Sequence, residues 1–171
     1  TMLWERYMNK LKGQIVYLSG AMDSKESNGG ADWRKEITPF LHSLGMGVFA
    51  PCDKPVLDTK FPENQEMRDI VAKYKQAGEY DKVREYYRHI VHEDLRGIDC
   101  CHVNITYLDI RHYPCGSYDE LYLSSQQNKP ILIVCPYGKS EIPNWLFGRI
   151  KHELFFSSFQ ECKEYLIGID S

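Results

Sequence analysis

Two carboxylates and a phenol stand in this chain where they could work on one substrate. Asp94 lies in His92-Glu93-Asp94-Leu95-Arg96-Gly97-Ile98-Asp99, and Glu120 in Gly116-Ser117-Tyr118-Asp119-Glu120-Leu121. Tyr17 lies in Ile15-Val16-Tyr17-Leu18-Ser19-Gly20. Each falls at the edge of a predicted strand–helix unit. A carboxyl that donates a proton, a carboxylate that attacks, and a phenol that holds one of them form a set suited to cleaving a glycosidic bond.

Helical spacing gives these residues their environments. Asp94 follows Ile90 by four residues and Val91 by three, and precedes Ile98 by four, which sets its carboxyl beside an apolar face. Burial there raises a carboxyl pKa towards neutrality and makes it a proton donor. The plainer alternative is an exposed helix-end acid paired with Arg96. Glu120 falls in the first turns of a helix opening at Gly116-Ser117, where the helix dipole favours the ionised form that a nucleophile needs. The plainer alternative is a solvated neighbour of Asp119. Tyr17 sits in an apolar strand, and a buried hydroxyl needs a partner that a carboxylate at the strand end would supply.

The segment from Ser19 to Gly30, with Gly20 and Asp23, is polar and Gly-containing, and Arg34 follows it. Backbone N–H groups in such a loop can cradle an anion, although neither a dinucleotide fingerprint nor a P-loop pattern is present. His89, His92, Cys100, Cys101 and His102 cluster in sequence, but there is no CxxC pair and they straddle a helix-to-strand change. No metal and no other cofactor is expected.

The elements that must position these groups alternate. Ile15-Val16-Tyr17-Leu18, Val48-Phe49-Ala50, Val103 to Tyr107, Ile131 to Cys135 and Tyr165-Leu166-Ile167 read as strands. Trp33, Ile37, Phe40, Leu41 and Leu44 form one helical stripe closed by Gly45. A helical pattern runs from Glu66 to Ile98 with a break at Gly78. Further helices are predicted from Gly116 to Gln127 and from Trp145 to Phe156. Without hairpin signals, the alternation predicts an α/β domain: a Rossmann-like or flavodoxin-like, mainly parallel five-stranded sheet with helices on both faces. Residues 1–13 are expected to be an extension and 14–171 a single domain, with a helical insert at about 63–88. Ligands of such sheets bind outside the carboxyl ends of the strands. Tyr17 and Gly20, Asp109 to Ser117, and Pro136 to Asn144 are all expected there.

Composition narrows the function class. In 171 residues, 43% are hydrophobic and 26% charged, with a net charge of −3, so no basic surface for a nucleic acid polymer or anionic membrane is expected. No apolar run approaches the roughly 20 residues of a membrane span. Trp4, Glu5 and Arg6 interrupt any signal-peptide core, and a cytoplasmic location is expected. The six cysteines read as free thiols, those near strands behaving as small apolar residues.

In their order along the chain, these motifs resemble the nucleoside 2-deoxyribosyltransferase superfamily, which includes the deoxynucleoside 5'-monophosphate N-glycosidases. The resemblance lies in the opening strand with its Tyr and small-residue turn and in Asp94-Leu95-Arg96-Gly97-Ile98-Asp99. It lies also in Gly116-Ser117-Tyr118-Asp119-Glu120-Leu121, followed by Asn128-Lys129-Pro130-Ile131. It spans roughly residues 14 to 148. It implies that Glu120 attacks C1' of a deoxyribose, that Asp94 protonates or hydrogen-bonds the leaving base, and that Tyr17 positions Glu120. It implies transfer to a second base or, alternatively, hydrolysis of a monophosphate. Ser19, Gly20, Asp23, Arg34, Asp109, Gly116 and Ser117 become candidate substrate contacts. Asn144, in Ile142-Pro143-Asn144-Trp145, would meet the sugar 5' end from a neighbouring subunit of a homo-oligomer. The partners implied are a small nucleoside or nucleotide and a free nucleobase. Six residues before Glu120 the family usually carries an Asp or Ser; here the position is Pro114. A nucleotide-binding or sensing module without turnover is the reading from another class, and a structural subunit a third.

Overall fold

Apolar runs of four to six residues, too short for helices, make the centre of the molecule. The computed structural model describes residues 9–21, 31–52, 63–112 and 114–171. Its strands are β1 (Ile15–Gly20), β2 (Gly47–Phe49), β3 (Val103–Tyr107), β4 (Ile131–Val134) and β5 (Phe155–Phe156). They form one five-stranded sheet in the order β2-β1-β3-β4-β5, and every pairing is parallel. This is the flavodoxin-like order, whose switch point lies between β1 and β3. The α/β class, the parallel sheet and the strand count match the expectation from sequence.

Helices α1 (Ala31–Ser43), α2 (Gln65–Gln76), α3 (Tyr80–Cys100), α4 (Cys115–Gln126), α5 (Asn144–Phe147) and α6 (Phe159–Asp170) surround the sheet. Alternation along β1 divides the core. Val16 and Leu18 pack with Ile37 and Leu41 of α1 and with Cys162 and Leu166 of α6. Tyr17, between them, packs on the opposite face with Ile98 of α3. A third cluster joins Leu121 of α4 to Ile131, Ile133 and Leu146. The expected break at Gly78 is real: its φ is +72°, a left-handed conformation that suits glycine.

Two expectations fail at the C-terminal end. Tyr165-Leu166-Ile167 is not a strand but part of α6. Cys162 and Leu166, four residues apart, are both fully buried, and that helical period outweighs a three-residue apolar run. The fifth strand is the pair Phe155-Phe156, inside the region expected to be helical, where α5 covers only Asn144–Phe147. The expected N-terminal extension is docked where it is described. Leu11 is buried in the core, its N–H donates to Asp170 Oδ1 at 2.9 Å, and Asn9 N–H donates to the Asp170 carbonyl at 3.0 Å. All six cysteines are free, and Cys101, Cys135 and Cys162 are buried. Among the described residues no helix is long and apolar enough to cross a membrane.

One close approach ties the fold to the site. A Cβ on Gly97 of α3 would lie 2.6 Å from Phe49 Cε1 and Cζ, so glycine lets α3 settle onto the end of β2. Phe49 stacks on Tyr17 with centroids 5.3 Å apart and planes 13° apart. Gly97→Ala is expected to destabilise by about 1–3 kcal/mol, despite the roughly 1 kcal/mol advantage of alanine in a helix. Urea unfolding checks this; an unchanged or raised midpoint would show that Phe49 yields freely.

Candidate active site

Tyr17 and Ser19 are two apart on β1, so their side chains leave the same face of the sheet. Both are completely buried, and both point at Glu120 of α4. The Tyr17 hydroxyl donates to Glu120 Oε1 at 2.8 Å, and the Ser19 hydroxyl donates to Oε2. Glu120 itself is 8% exposed. The backbone beneath it is held as well. Ser124 Oγ donates to the Glu120 carbonyl (2.9 Å) and accepts from Asn104 Nδ2 (2.9 Å), while Thr106 Oγ1 donates to Asn104 Oδ1 (2.8 Å). A chain of buried hydroxyls and one amide thus ties α4 to β3.

Glu120 faces a cavity of about 330 Å³ at the carboxyl ends of the strands, within the size range of small-molecule sites. Asp94 of α3, 7% exposed, lines it together with Gly20, Gly116 and Ser117. The Ser117 Oγ is buried with no hydrogen-bond partner among the described residues, a polar atom that a ligand in this cavity could satisfy. The structure therefore brings together Glu120, Asp94, Gly20, Gly116 and Ser117 around one space, with Tyr17 and Ser19 behind Glu120. Ser19, expected to touch substrate, instead spends its hydroxyl on the Glu120 carboxylate.

Other expected residues lie elsewhere. Arg34 is 2% exposed, and its Nε and one terminal nitrogen donate to the carbonyls of Leu18 (3.1 Å) and Gly20 (2.9 Å). It stacks over Trp33 at 4.6 Å and secures the end of β1 rather than lining the cavity. Gly20 fits this junction because a Cβ would lie 3.0 Å from Trp33 Cζ2. Asp109 lines a different cavity and accepts from Tyr137 Oη (2.9 Å) and Arg111 N–H (3.1 Å), with His112 Nδ1 at 2.6 Å. Asn144 begins α5, is exposed, and lines neither cavity. Asp23 lies outside the described residues.

Sequence reasoning missed Glu63, Asp119 and Cys115 and gave Tyr87 core packing by default over capping the pocket or forming an interface; all four line the Glu120 cavity. Tyr87 was within reach: it precedes Ile90 by three residues and Asp94 by seven, on the same helical stripe. With Ile90, Val91 and Leu95 it makes an apolar wall on α3.

The electrostatics differ from the helix-dipole expectation. Burial, aided by the nearby Asp94 charge, pushes the Glu120 carboxyl up to about 7 against the opposing hydrogen bonds from Ser19 and Tyr17 and the Arg34 charge. Burial, then the Glu120 charge, raises the Tyr17 phenol well above its ordinary value, so it stays a hydrogen-bond donor. Burial lowers the Arg34 pKa, opposed by nearby groups including Glu120.

The fold has a known counterpart. The 2-deoxyribosyltransferase of the psychrotolerant bacterium Bacillus psychrosaccharolyticus matches with a TM-score of 0.60 at 18% identity, over 88% of this chain and 91% of its own. This chain has the fold of a 2-deoxyribosyltransferase. The CMP N-glycosidase BcmB of Clostridium botulinum matches at a TM-score of 0.46 and 13% identity, over 90% of this chain and 97% of its own. No protein-family model and no curated protein matches the sequence.

A carboxyl titrating at about 7 when folded, against 4.5 ordinarily, binds its proton more tightly in the folded chain. The stability this gives is complete below pH 4.5 and is lost as pH rises through 7, about 3 kcal/mol in all. Glu120→Gln removes that dependence. Its stability relative to the wild type should therefore improve by about 3 kcal/mol between pH 4 and pH 8, read from urea unfolding at both. An equal difference at the two pH values would mean that Glu120 is not held against ionisation.

Proposed function

We propose that this chain cleaves or exchanges the N-glycosidic bond of a 2'-deoxynucleoside or its 5'-monophosphate, most directly as a nucleoside 2-deoxyribosyltransferase. One observation carries the reading: a buried carboxylate, held by a phenol and a hydroxyl, shares a small cavity with a second carboxyl. The fold in common with a 2-deoxyribosyltransferase supports it.

In the proposed first step a Glu120 oxygen attacks C1' of the sugar. The C1'–N bond breaks, its electron pair leaves with the base, and the base nitrogen takes a proton from Asp94. Tyr17 and Ser19 fix the carboxylate geometry, and the charge Glu120 gives up on forming the ester relieves the cost of its burial. In the second step the nitrogen of another base attacks C1', returns its proton to Asp94 and releases Glu120. Water attacking instead gives the hydrolase, a deoxynucleoside monophosphate N-glycosidase. The α3 wall at Tyr87, Ile90 and Leu95 would pack the base, and Ser117 would meet the sugar side. Asn144 lies off the cavity of its own chain, so its expected contact with the sugar 5' end requires a second copy in a homo-oligomer.

Chromatography of free base released from deoxynucleosides and their 5'-monophosphates, with and without a second base, tests the reading. A new nucleoside formed with an acceptor supports the transferase, and release without one the hydrolase. No product from any substrate would favour a binding module without turnover.

The rate should fall as pH drops below about 7, where Glu120 becomes protonated. Tyr17→Phe removes a hydrogen bond to the carboxylate and should move this acid limb to higher pH. Asp94→Asn removes the proton donor and should slow base departure about a hundredfold or more. An acid limb unmoved in Tyr17→Phe, or an unaffected rate in Asp94→Asn, would contradict these roles.

A further inference from the structure

Among the described residues a second cavity stands apart from the one at Glu120. About 660 Å³ in volume, it lies over the carboxyl ends of β3 and β4, between α1 and α6. Tyr107 belongs to the α1/α6 core, so this space sits on the opposite face of the sheet from Glu120. Parallel sheets bind ligands at this edge, and nothing in the chemistry proposed above uses the space.

Three half-buried rings form one wall. Trp33, Tyr107 and Phe159 have centroids 5.3–5.5 Å apart, and their planes differ by 16° to 34°. At the mouth, His112 is oriented by Asp109 through its Nδ1 (2.6 Å), with side chains 28% and 14% exposed. Glu36 and Ser157, both exposed, complete the rim.

The ring geometry separates two ligand classes. A quaternary ammonium needs ring faces at steep angles that box in the cation. Here the planes are closer to parallel, and a cation, Arg34, already lies over the Trp33 ring. The Asp109 oxygens are taken up by His112, Tyr137 and the Arg111 amide. Near-parallel aromatic rings with hydrogen-bonding groups at the rim suit a flat, uncharged ring that stacks on one side and is read along its edge.

We propose that this cavity is a second binding site, separate from the Glu120 cavity, for a planar heteroaromatic molecule of the nucleobase class. The proposal does not depend on the reaction assigned to Glu120. The two cavities share a partition: Trp33 lines one, Gly20 the other, and Trp33 Cζ2 lies 3.0 Å from where a Gly20 Cβ would stand.

Calorimetric titration of the full chain with adenine tests the site, with tetramethylammonium as the cation probe. Ser157→Trp fills the mouth from an exposed position. His112→Ala removes a lining side chain without filling anything. Ser157→Trp should lose one adenine site per chain, with melting temperature and any base-release activity unchanged. His112→Ala should weaken that site about two- to tenfold. Because His112→Ala stands alone, failure of Ser157→Trp to fold does not remove the test. Adenine binding unaffected by either substitution would overturn the proposal. So would the absence of adenine binding, or tetramethylammonium displacing adenine.

Discussion

The structure depends on keeping one carboxylate out of water. Burial of Glu120 opposes its ionisation, and an unpaired buried charge would normally be avoided. The fold offsets this cost with the Tyr17 and Ser19 hydroxyls, supplied from alternate positions of β1, buried at every residue but its first. Asp94 on the facing helix works against them. The group is therefore left between charged and neutral near physiological pH, as the proposed attack on the sugar would need. Second-layer contacts follow from the same need. Asn104, Thr106 and Ser124 anchor the Glu120 backbone, and Phe49 backs Tyr17 through a contact that only Gly97 permits.

The sheet separates two environments at one edge. On the α3/α4 face lies a small, acid-lined cavity around Glu120; on the α1/α6 face lies a larger aromatic one. Arg34 sits at the partition, its guanidinium spent on the backbone at the end of β1. A cation read from sequence as an anion contact thus works as a structural tie for the strand that carries Tyr17 and Ser19.

Much of this was legible in the residues. The apolar run of β1 and the helical stripe around Asp94 put Tyr17 in a buried strand and Asp94 beside an apolar face, and the family resemblance joined both to Glu120. Gly116 and Ser117 came with the motif that carries Glu120. What was hidden depended on partners distant in sequence. Ser19 and Arg34 face inward because of α4 and the β1 carbonyls, and Asp109 is claimed by Tyr137, 28 residues away. The strand Phe155-Phe156 was too short to show a period, and the apolar run at Tyr165 disguised a helix whose buried positions are four residues apart.

The central claim is that Glu120 becomes covalently bonded to the sugar. The most direct measurement is mass spectrometry of the chain quenched during reaction with a 2'-deoxy-2'-fluoronucleoside, whose electron-poor sugar slows release of the ester. The account predicts one added fluorodeoxyribosyl mass per chain, found on the peptide containing Glu120 and absent in Glu120→Ala. An adduct on another residue, or base release with no adduct under conditions that trap it, would contradict the account.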